Sequence, residues 1–245
     1  MSTEPPQANA PVMPVTSLDD PRALSILSTE HWSLLSARSL AYNEAFIRGG
    51  MFLTFLSMSF VALALLAQGM GSFDSQFLTI AAVVLGFDLV IGLATYGRIS
   101  GANVDDLRAV HGMARIRHAY TQIAPITAPY FTTPTHDDIE SVLLTYGSPA
   151  NSGVGLVLYG LTTSGGMIGL ITAMIGGVLA AVLGLLMGVS GELAVWVGLG
   201  GGVLVFLALL VPTLGTVPRH QAGLGVLFPA PTAEPGAEPS NSPGT

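Results

Sequence analysis

Asp88 is an acidic residue in a stretch of the chain that is otherwise apolar, and burying an acid there costs free energy. Asp88 is the only charged side chain in the apolar stretch 75–97, and it lies near the middle of that stretch. Counting residues inward from the expected membrane borders places Ser57, Ser59 and Thr172 at about the same depth. An acid at this depth marks a functional hypothesis. We expect a polar site in which Asp88, protonated or hydrogen-bonded, joins helices, or in which it relays a proton or a cation.

The other residue types that could do chemistry form weaker patterns. His111 and His118 lie about 10 Å apart along a helix, too far to hold one metal ion as an adjacent pair. His136, Asp137 and Asp138 stand at an expected helix start, where the helix dipole favours acids, and a metal site there is the weaker interpretation. The chain has no cysteine and no GxSxG, HExxH or Walker pattern. The sequence therefore predicts neither an enzyme nor a cofactor or metal.

Small residues recur at every fourth position late in the chain. Such rows let helix backbones approach closely in lipid, where a hydrophobic drive is missing. We expect these residues to pack two helices of the same chain against each other. The alternative is that the second of the two rows named below joins copies of the chain. The first row is Gly165, Gly169, Ala173, Gly177 and Ala181, the second is Gly176, Ala180, Gly184 and Gly188, and the opposing helix carries Ala194, Gly198 and Gly202.

The composition places these residues in a lipid bilayer. Half of the chain (50%) is hydrophobic and 9% is charged, whereas soluble domains carry about 25% charged residues. Four stretches are apolar for long enough to cross a bilayer core of about 30 Å, at about 49–70, 75–97, 166–188 and 193–214. The sequence predicts an all-α membrane protein with four transmembrane helices in two hairpins, of which the second, 166–214, is rich in glycine.

The arginines predict the orientation of these spans. All eight cationic residues are arginine, and each lies before the first span, between the second and third, or after the fourth. Cytoplasmic flanks retain arginine, whereas exported loops rarely do. We expect a multi-pass protein of the inner cell membrane, with both termini and residues 98–165 in the cytoplasm. Residues 1–16 lack the basic start and apolar core of a secretory signal, and the net charge of −7 argues against a nucleic-acid partner.

Two helices should extend the first hairpin into the cytoplasm within residues 18–124. Asp20 and Pro21 are typical of a helix start, and the helix should cover 18–47. After the second span, Ser100 and Gly101 should break the helix and Asn103 should cap it again. An antiparallel pairing of the two cytoplasmic helices predicts that Arg38 lies near Asp105 and Asp106, and Glu30 near Arg115 and Arg117.

The rest of the chain is expected to be linker and tail. Residues 1–17 and 215–245 have the composition of disordered segments. Within the linker 125–165, three prolines argue against a regular helix over 125–135. Thr135 then caps a short helix over 136–146, and residues 154–159 are expected to lie along the membrane interface.

Two segments carry a resemblance to known proteins. They are LSTEHWSLLSARSLAYNE at 27–44, which leads into MFLT at 51–54, and RAVHGMARIRHAY at 108–120. Together they resemble a family of uncharacterised bacterial integral membrane proteins over roughly residues 1–140. The resemblance implies a membrane protein and no activity. The order helix, span, span, helix is also similar to the SLATT class of two-span modules, proposed as membrane effectors in nucleotide-linked conflict systems; the pair of spans at 166–214 is additional to that order.

These patterns favour one function and leave a second open. We expect a non-enzymatic membrane protein that acts as a scaffold or effector, binding the lipid bilayer and either copies of itself or a membrane-protein partner. Its interaction surface would be the cytoplasmic helical hairpin. The alternative is a small proton- or cation-linked transporter or channel that uses Asp88.

Overall fold

The computed structural model describes residues 15–71, 73–147 and 160–231, with the backbone alone for 212–222. This part of the chain is almost entirely helical and contains no strand. Four of its helices are long and apolar enough to cross a membrane. The predicted all-α architecture with four candidate spans is therefore confirmed. The expectations for residues 1–14, 154–159 and 232–245 fall outside the described residues.

Helix α1 is one rod from Pro21 to Met70. The carboxylate of Asp20 accepts the backbone N–H of Arg22, and Pro21 occupies the first turn, where its missing N–H costs nothing. The helix passes Gly49 and Gly50 without a break. It ends at Gly71, whose φ of 66° lies in the left-handed region that glycine adopts without strain.

Helix α2, Ser75–Ile123, is equally continuous. Asp74 caps its first turn by accepting the N–H of Phe77 at 2.9 Å. The predicted break at Ser100 and Gly101, with a new cap at Asn103, is wrong. One glycine costs a helix only about 1 kcal/mol, and the buried Ile99 and Leu107 on either side hold the helix against its neighbours.

Helices α1 and α2 pack in antiparallel order along their whole length. Successive contacts join Ser59 to Asp88, Glu44 to Arg98 and Arg38 to Asp106. Residues 21–48 of α1 and 98–123 of α2 extend beyond the apolar spans, and we call this pair of segments the arm. At 1.5 Å per residue the arm is about 40 Å long.

Two short elements follow on the α2 side of the arm. A 3₁₀ helix covers Pro125–Tyr130, and α3 covers Ile139–Leu144. The α3 helix is shorter than the predicted 136–146 because Asp138, rather than Thr135, caps it by accepting the N–H of Ser141. The prolines argue against a regular α-helix in this segment, as predicted. A 3₁₀ turn tolerates prolines, and residues 125–130 form such a turn.

Helix α4, Ser164–Leu186, lies between α2 and α5, Gly191–Leu224. Its first turn is capped by the hydroxyl of Thr163, which accepts the N–H of Gly166. The core between the spans is mainly apolar. Helix α1 packs mainly on α2, and no described element covers its far side. That core includes Phe52, Leu56, Leu85, Ile99, Ile168 and Ile175.

The end of α5 departs from the prediction. The helix was expected to stop near Pro212, with disorder from 215 onward, but it continues to Leu224. Residues 225–231 then pack against the arm instead of leaving the protein. A proline inside a helix removes one backbone hydrogen bond, and the helix continues past Pro212 despite that loss.

Candidate functional site

Asp88 lies fully buried between α1 and α2. Its carboxyl Oδ1 accepts a hydrogen bond from the Ser59 hydroxyl at 2.9 Å, across the two helices. Among the described residues no group is within hydrogen-bonding distance of its Oδ2. The predicted polar site therefore exists as one interhelical hydrogen bond with one unpaired oxygen.

The other hydroxyls predicted at this depth do not reach Asp88. Thr172 is fully buried on α4, but its hydroxyl donates to the Ile168 carbonyl in its own helix at 2.7 Å. It packs against Gly92, one turn from Asp88, where an added Cβ would come within 2.7 Å of the threonine oxygen. Ser57 is exposed on the opposite face of α1 and donates to the Leu53 carbonyl.

The small residues of α4 contact the helices on both of its sides. Towards α2, an added Cβ at Gly169 would lie 2.9 Å from the Tyr96 ring, and one at Gly165 would lie 3.3 Å from the Asn103 amide. Further along, Gly177 faces α5, where its Cβ would lie 2.7 Å from the Gly198 carbonyl oxygen. The row thus changes partner along α4, from α2 to α5.

The remaining small residues close the contact between α4 and α5. An added Cβ at Gly202 would come within 3.3 Å of the Ala173 carbonyl, and one at Gly184 would meet Val189 and Val197. Gly188 forms the turn between the helices with a φ of 84°. The second row is also used inside the chain, since Gly176 faces Val205 and Ala180 faces Gly201. The described contacts of Gly176 and Ala180 therefore do not leave them free for another copy.

A hydrogen bond ties α2 to the far helix. The Tyr96 hydroxyl donates to the Leu209 carbonyl of α5 at 3.0 Å. Together with the glycine contacts, this bond joins α2, α4 and α5 into one packed unit.

A carboxylate at the centre of the arm gathers three polar side chains. Asp106 accepts from Arg38 at 2.5 Å, from Tyr42 at 3.0 Å and from Tyr146 at 2.6 Å. Burial, followed by the interaction with Asp106, raises the pKa of both tyrosines. Antiparallel pairing predicted the contact of Arg38 with Asp106, but neither tyrosine was identified from the sequence.

A second carboxylate, Asp137, binds the segment that follows α5. Asp137 is fully buried and accepts the backbone N–H groups of Leu227 and Phe228, with its Oδ1 lying 2.7 Å from the Phe228 nitrogen. Arg115 donates to Asp137 at 2.8 Å and to the carbonyls of Leu224 and Gly225. We call this arrangement the C-terminal clasp.

The environment of Asp137 strongly favours its charged form. Burial alone would raise the pKa of Asp137, but the N–H groups of Leu227 and Phe228 and the Arg115 guanidinium outweigh burial. Together they lower the pKa to about 2. Asp138 adds a further bond from the Ala230 N–H at 3.0 Å, so both acids bind backbone donors of the same segment.

Three histidines lie at this clasp, namely His111, His118 and His136. His111 Nε2 lies 3.4 Å from Asp137, and the His118 ring stacks on Phe228 with centroids 4.1 Å apart. His136 meets His118 edge-on. No group of three potential metal ligands is found among the described residues. The His136, Asp137 and Asp138 cluster was noticed in the sequence, but only as a helix start, because backbone partners ninety residues away leave no sequence signal.

Glu30 was expected to lie near Arg115 and Arg117, and the ion pair that the structure shows for Arg115 is with Asp137. Asp137, unlike Glu30, is fully buried beside Arg115. Arg117 is partly buried, and its Nη1 has no hydrogen-bond partner among the described residues. Burial and the charge of Arg38 lower the pKa of Arg117.

Comparison with protein-family models, with curated proteins and with solved structures finds no match to this chain.

Proposed function

We propose that this protein is a non-enzymatic, multi-pass scaffold or effector of the inner cell membrane that assembles with other membrane proteins through the arm, first of all with copies of itself. The observation that carries the proposal is the uncovered side of α1. Outside the apolar span, Trp32, Leu40 and Phe46 are 68%, 70% and 81% exposed. Large apolar side chains that remain exposed together mark interaction surfaces.

The two sides of the arm differ in a way that supports this proposal. On the α2 side, α3, the 3₁₀ helix and the C-terminal clasp cover the helix, and Val110 and Met113 are fully buried. On the α1 side, no described element covers the helix. Other described elements thus cover the α2 side of the arm, whereas the α1 side is left exposed by them.

In the proposed topology, the four spans form two hairpins and both termini lie in the cytoplasm. The arginine distribution favours that orientation. The clasp is consistent with it, because it joins residues that follow the fourth span to residues that follow the second. Segments in contact lie on the same side of a bilayer, so an even number of crossings separates them.

The test of the proposal is the mass of the full-length protein in detergent, measured over a wide concentration range. Self-assembly predicts a mass above that of one chain, which falls towards 25.2 kDa plus bound detergent on dilution. A single-chain mass at every concentration, in several detergents and in lipid discs, would overturn self-assembly.

A second candidate function rests on the unpaired oxygen of Asp88. A buried acid with one free oxygen could pass a proton or a cation between the helices. The experiment is flux into liposomes that contain the full-length protein, compared with Asp88→Asn. Proton or cation flux that Asp88→Asn abolishes would support transport. Equal flux from both proteins, or none from either, would remove this candidate.

A further inference from the structure

Arg117 is the arginine of the arm that has no acidic partner among the described residues. Of the seven arginines whose side chains the structure describes, the other six each form an ion pair with an acid. Even the exposed Arg98 has such a partner, whereas the partly buried Arg117 has none. The six paired residues are Arg22, Arg38, Arg48, Arg98, Arg108 and Arg115.

His31 lies near Arg117 and also has a nitrogen without a partner. His31 belongs to α1 and Arg117 to α2, and the charge of Arg117 acts on the His31 ring. His31 Nδ1 and Arg117 Nη1 are both buried, and neither has a hydrogen-bond partner in the part of the chain that the structure describes. A buried donor without an acceptor is costly. Two such nitrogens on neighbouring helices therefore indicate a shared acceptor.

The charges around Arg117 favour an anion as this acceptor over a water molecule. Burial lowers the pKa of Arg117, and the charge of Arg38 lowers it further. Burial and then the charge of Arg117 lower the pKa of His31 in the same way. A water molecule would accept hydrogen bonds from these nitrogens but would not offset the repulsion between the cations. An anion does both.

Aromatic rings hold one side of this site. The His31 ring stacks on Tyr120 of α2 with centroids 6.0 Å apart, and Tyr120 stacks on Phe131 with centroids 6.5 Å apart. His31, Arg117 and both of these aromatic residues keep some exposure to solvent. A small ligand therefore reaches the two nitrogens when the Arg117 or the His31 side chain turns, without separation of the helices.

We infer that Arg117 and His31 bind the phosphate group of a free, water-soluble ligand. The guanidinium group presents its N–H donors in a planar fork that matches phosphate oxygens. A phosphate monoester such as phosphoserine carries a charge of about −1.5 to −2 at pH 7, which matches Arg117 together with a protonated His31. A carboxylate carries a single charge and would offset only one of the two cations. The inference does not depend on self-assembly.

The position of the site favours a soluble ligand over a lipid. In the continuous helix α1, His31 lies about 25 Å from Arg48, which stands at the border of the first span. A headgroup held at the bilayer surface does not reach that far along the arm. The ligand is therefore a phosphate compound dissolved on the side of the membrane where the arm lies.

Inorganic phosphate is the probe that tests the site, and the full-length protein in detergent is the sample. At about ten times its dissociation constant, phosphate should raise the midpoint of thermal unfolding by roughly 3–6 °C. Sodium chloride at the same ionic strength should not. Arg117→Gln should weaken phosphate binding about tenfold or more, because it removes a charged donor. Arg108→Gln, at an exposed position of the same helix, is the matched control and should not change it.

Two further measurements distinguish a ligand site from a purely structural arginine. In phosphate-free buffer, Arg117→Gln should unfold at the same temperature as the unaltered chain or at a higher one, because it removes an unpaired charge. With phosphate, the order should reverse. In the unaltered chain, phosphate should also shift the NMR signals of the His31 ring, which a spectrum of His31→Gln identifies among the five histidines.

The acids of the chain outside the described residues are a second source of an oxyanion. They are Glu4, Glu234 and Glu238. A variant in which all three are replaced by glutamine should respond to phosphate as the unaltered chain does. A response that appears only in this variant would show that one of these carboxylates occupies the site, and it would overturn a free ligand. No response beyond that of chloride, or an equal response in Arg117→Gln, would overturn the site itself.

Discussion

Arg115 and Asp137 join two distant parts of the chain through one ion pair at 2.8 Å. The same guanidinium donates to the carbonyls of Leu224 and Gly225, and the same carboxylate accepts the N–H groups of Leu227 and Phe228. These backbone groups belong to the last residue of α5 and to the segment that follows it. The clasp therefore fixes the end of α5, at Leu224, relative to the arm.

Loss of the Asp137 charge should open the clasp. Because the pKa of Asp137 falls from 3.8 to about 2 on folding, the charged carboxylate contributes about 2 kcal/mol to holding the segment. Asp137→Asn should therefore expose the amides of Leu227, Phe228 and Ala230 to hydrogen exchange, with the spans unaffected. Glu140→Gln, an exposed position on α3, is the matched control. Unchanged protection in Asp137→Asn would contradict the clasp.

The pH dependence of the clasp follows from the same shift. A carboxylate whose pKa is lowered on folding contributes its full stability above the unfolded-state pKa of 3.8 and loses it as the pH falls through about 2. Cleavage by an acid protease between Leu227 and Phe228 should be slow at pH 4 and fast below pH 2. In Asp137→Asn this pH dependence should disappear, and its persistence would assign the opening to another group.

The Asp106 cluster should carry much of the stability of the arm. Asp106→Asn leaves the half-buried Arg38 without its counter-charge, at a cost of about 3 kcal/mol. Asp105→Asn removes an exposed pair with Arg108 and should cost about 0.5 kcal/mol or less. Thermal unfolding in detergent, followed by the fluorescence of Trp32 and Trp196, measures both. Equal losses from the two variants would count against a structural role for Asp106.

Particular residues show which parts of this fold the sequence predicts and which parts it does not. Uncharged stretches predict the spans, because bilayer thickness sets their length, and antiparallel pairing predicts the contact of Arg38 with Asp106. The continuation of α2 through Gly101 was missed, since the packing of Ile99 and Leu107 outweighs the local preference of one glycine. The continuation of α5 through Pro212 to Leu224 was missed as well. The partners of Asp137 are backbone groups of distant residues, which have no signature in side-chain type.

Substitution of Ser59, with substitution of Ser57 as its control, tests the hydrogen bond to the buried Asp88. Ser59→Ala removes the donor to Asp88 and leaves another buried oxygen unpaired, at a cost of about 1–3 kcal/mol. Ser57→Ala removes a hydroxyl that serves only its own helix and should change stability by about 0.5 kcal/mol or less. The free energies of unfolding of the two variants are compared in mixed micelles. A cost for Ser57→Ala equal to that for Ser59→Ala would mean that the Ser59 bond is not what supports the site.

Gly177 and Gly200 provide a similar comparison for the contact of α4 with α5. A Cβ at Gly177 would lie 2.7 Å from the Gly198 carbonyl oxygen, so Gly177→Ala must separate two backbones and should cost about 1–3 kcal/mol. Around Gly200 there is open space, and Gly200→Ala should be neutral or mildly stabilising, by about 1 kcal/mol at most. Equal thermal stabilities of the two variants would contradict the close contact.

Self-assembly is the central claim, and counting chains in a membrane tests it most directly. The full-length protein, with one fluorophore per chain, is diluted into lipid vesicles and bleached one fluorophore at a time. The account predicts that most occupied vesicles lose their signal in more than one step, in excess of random co-occupancy, and that Leu40→Glu reduces this excess. Single-step bleaching at the frequency of random occupancy, for the unaltered chain, would contradict the account.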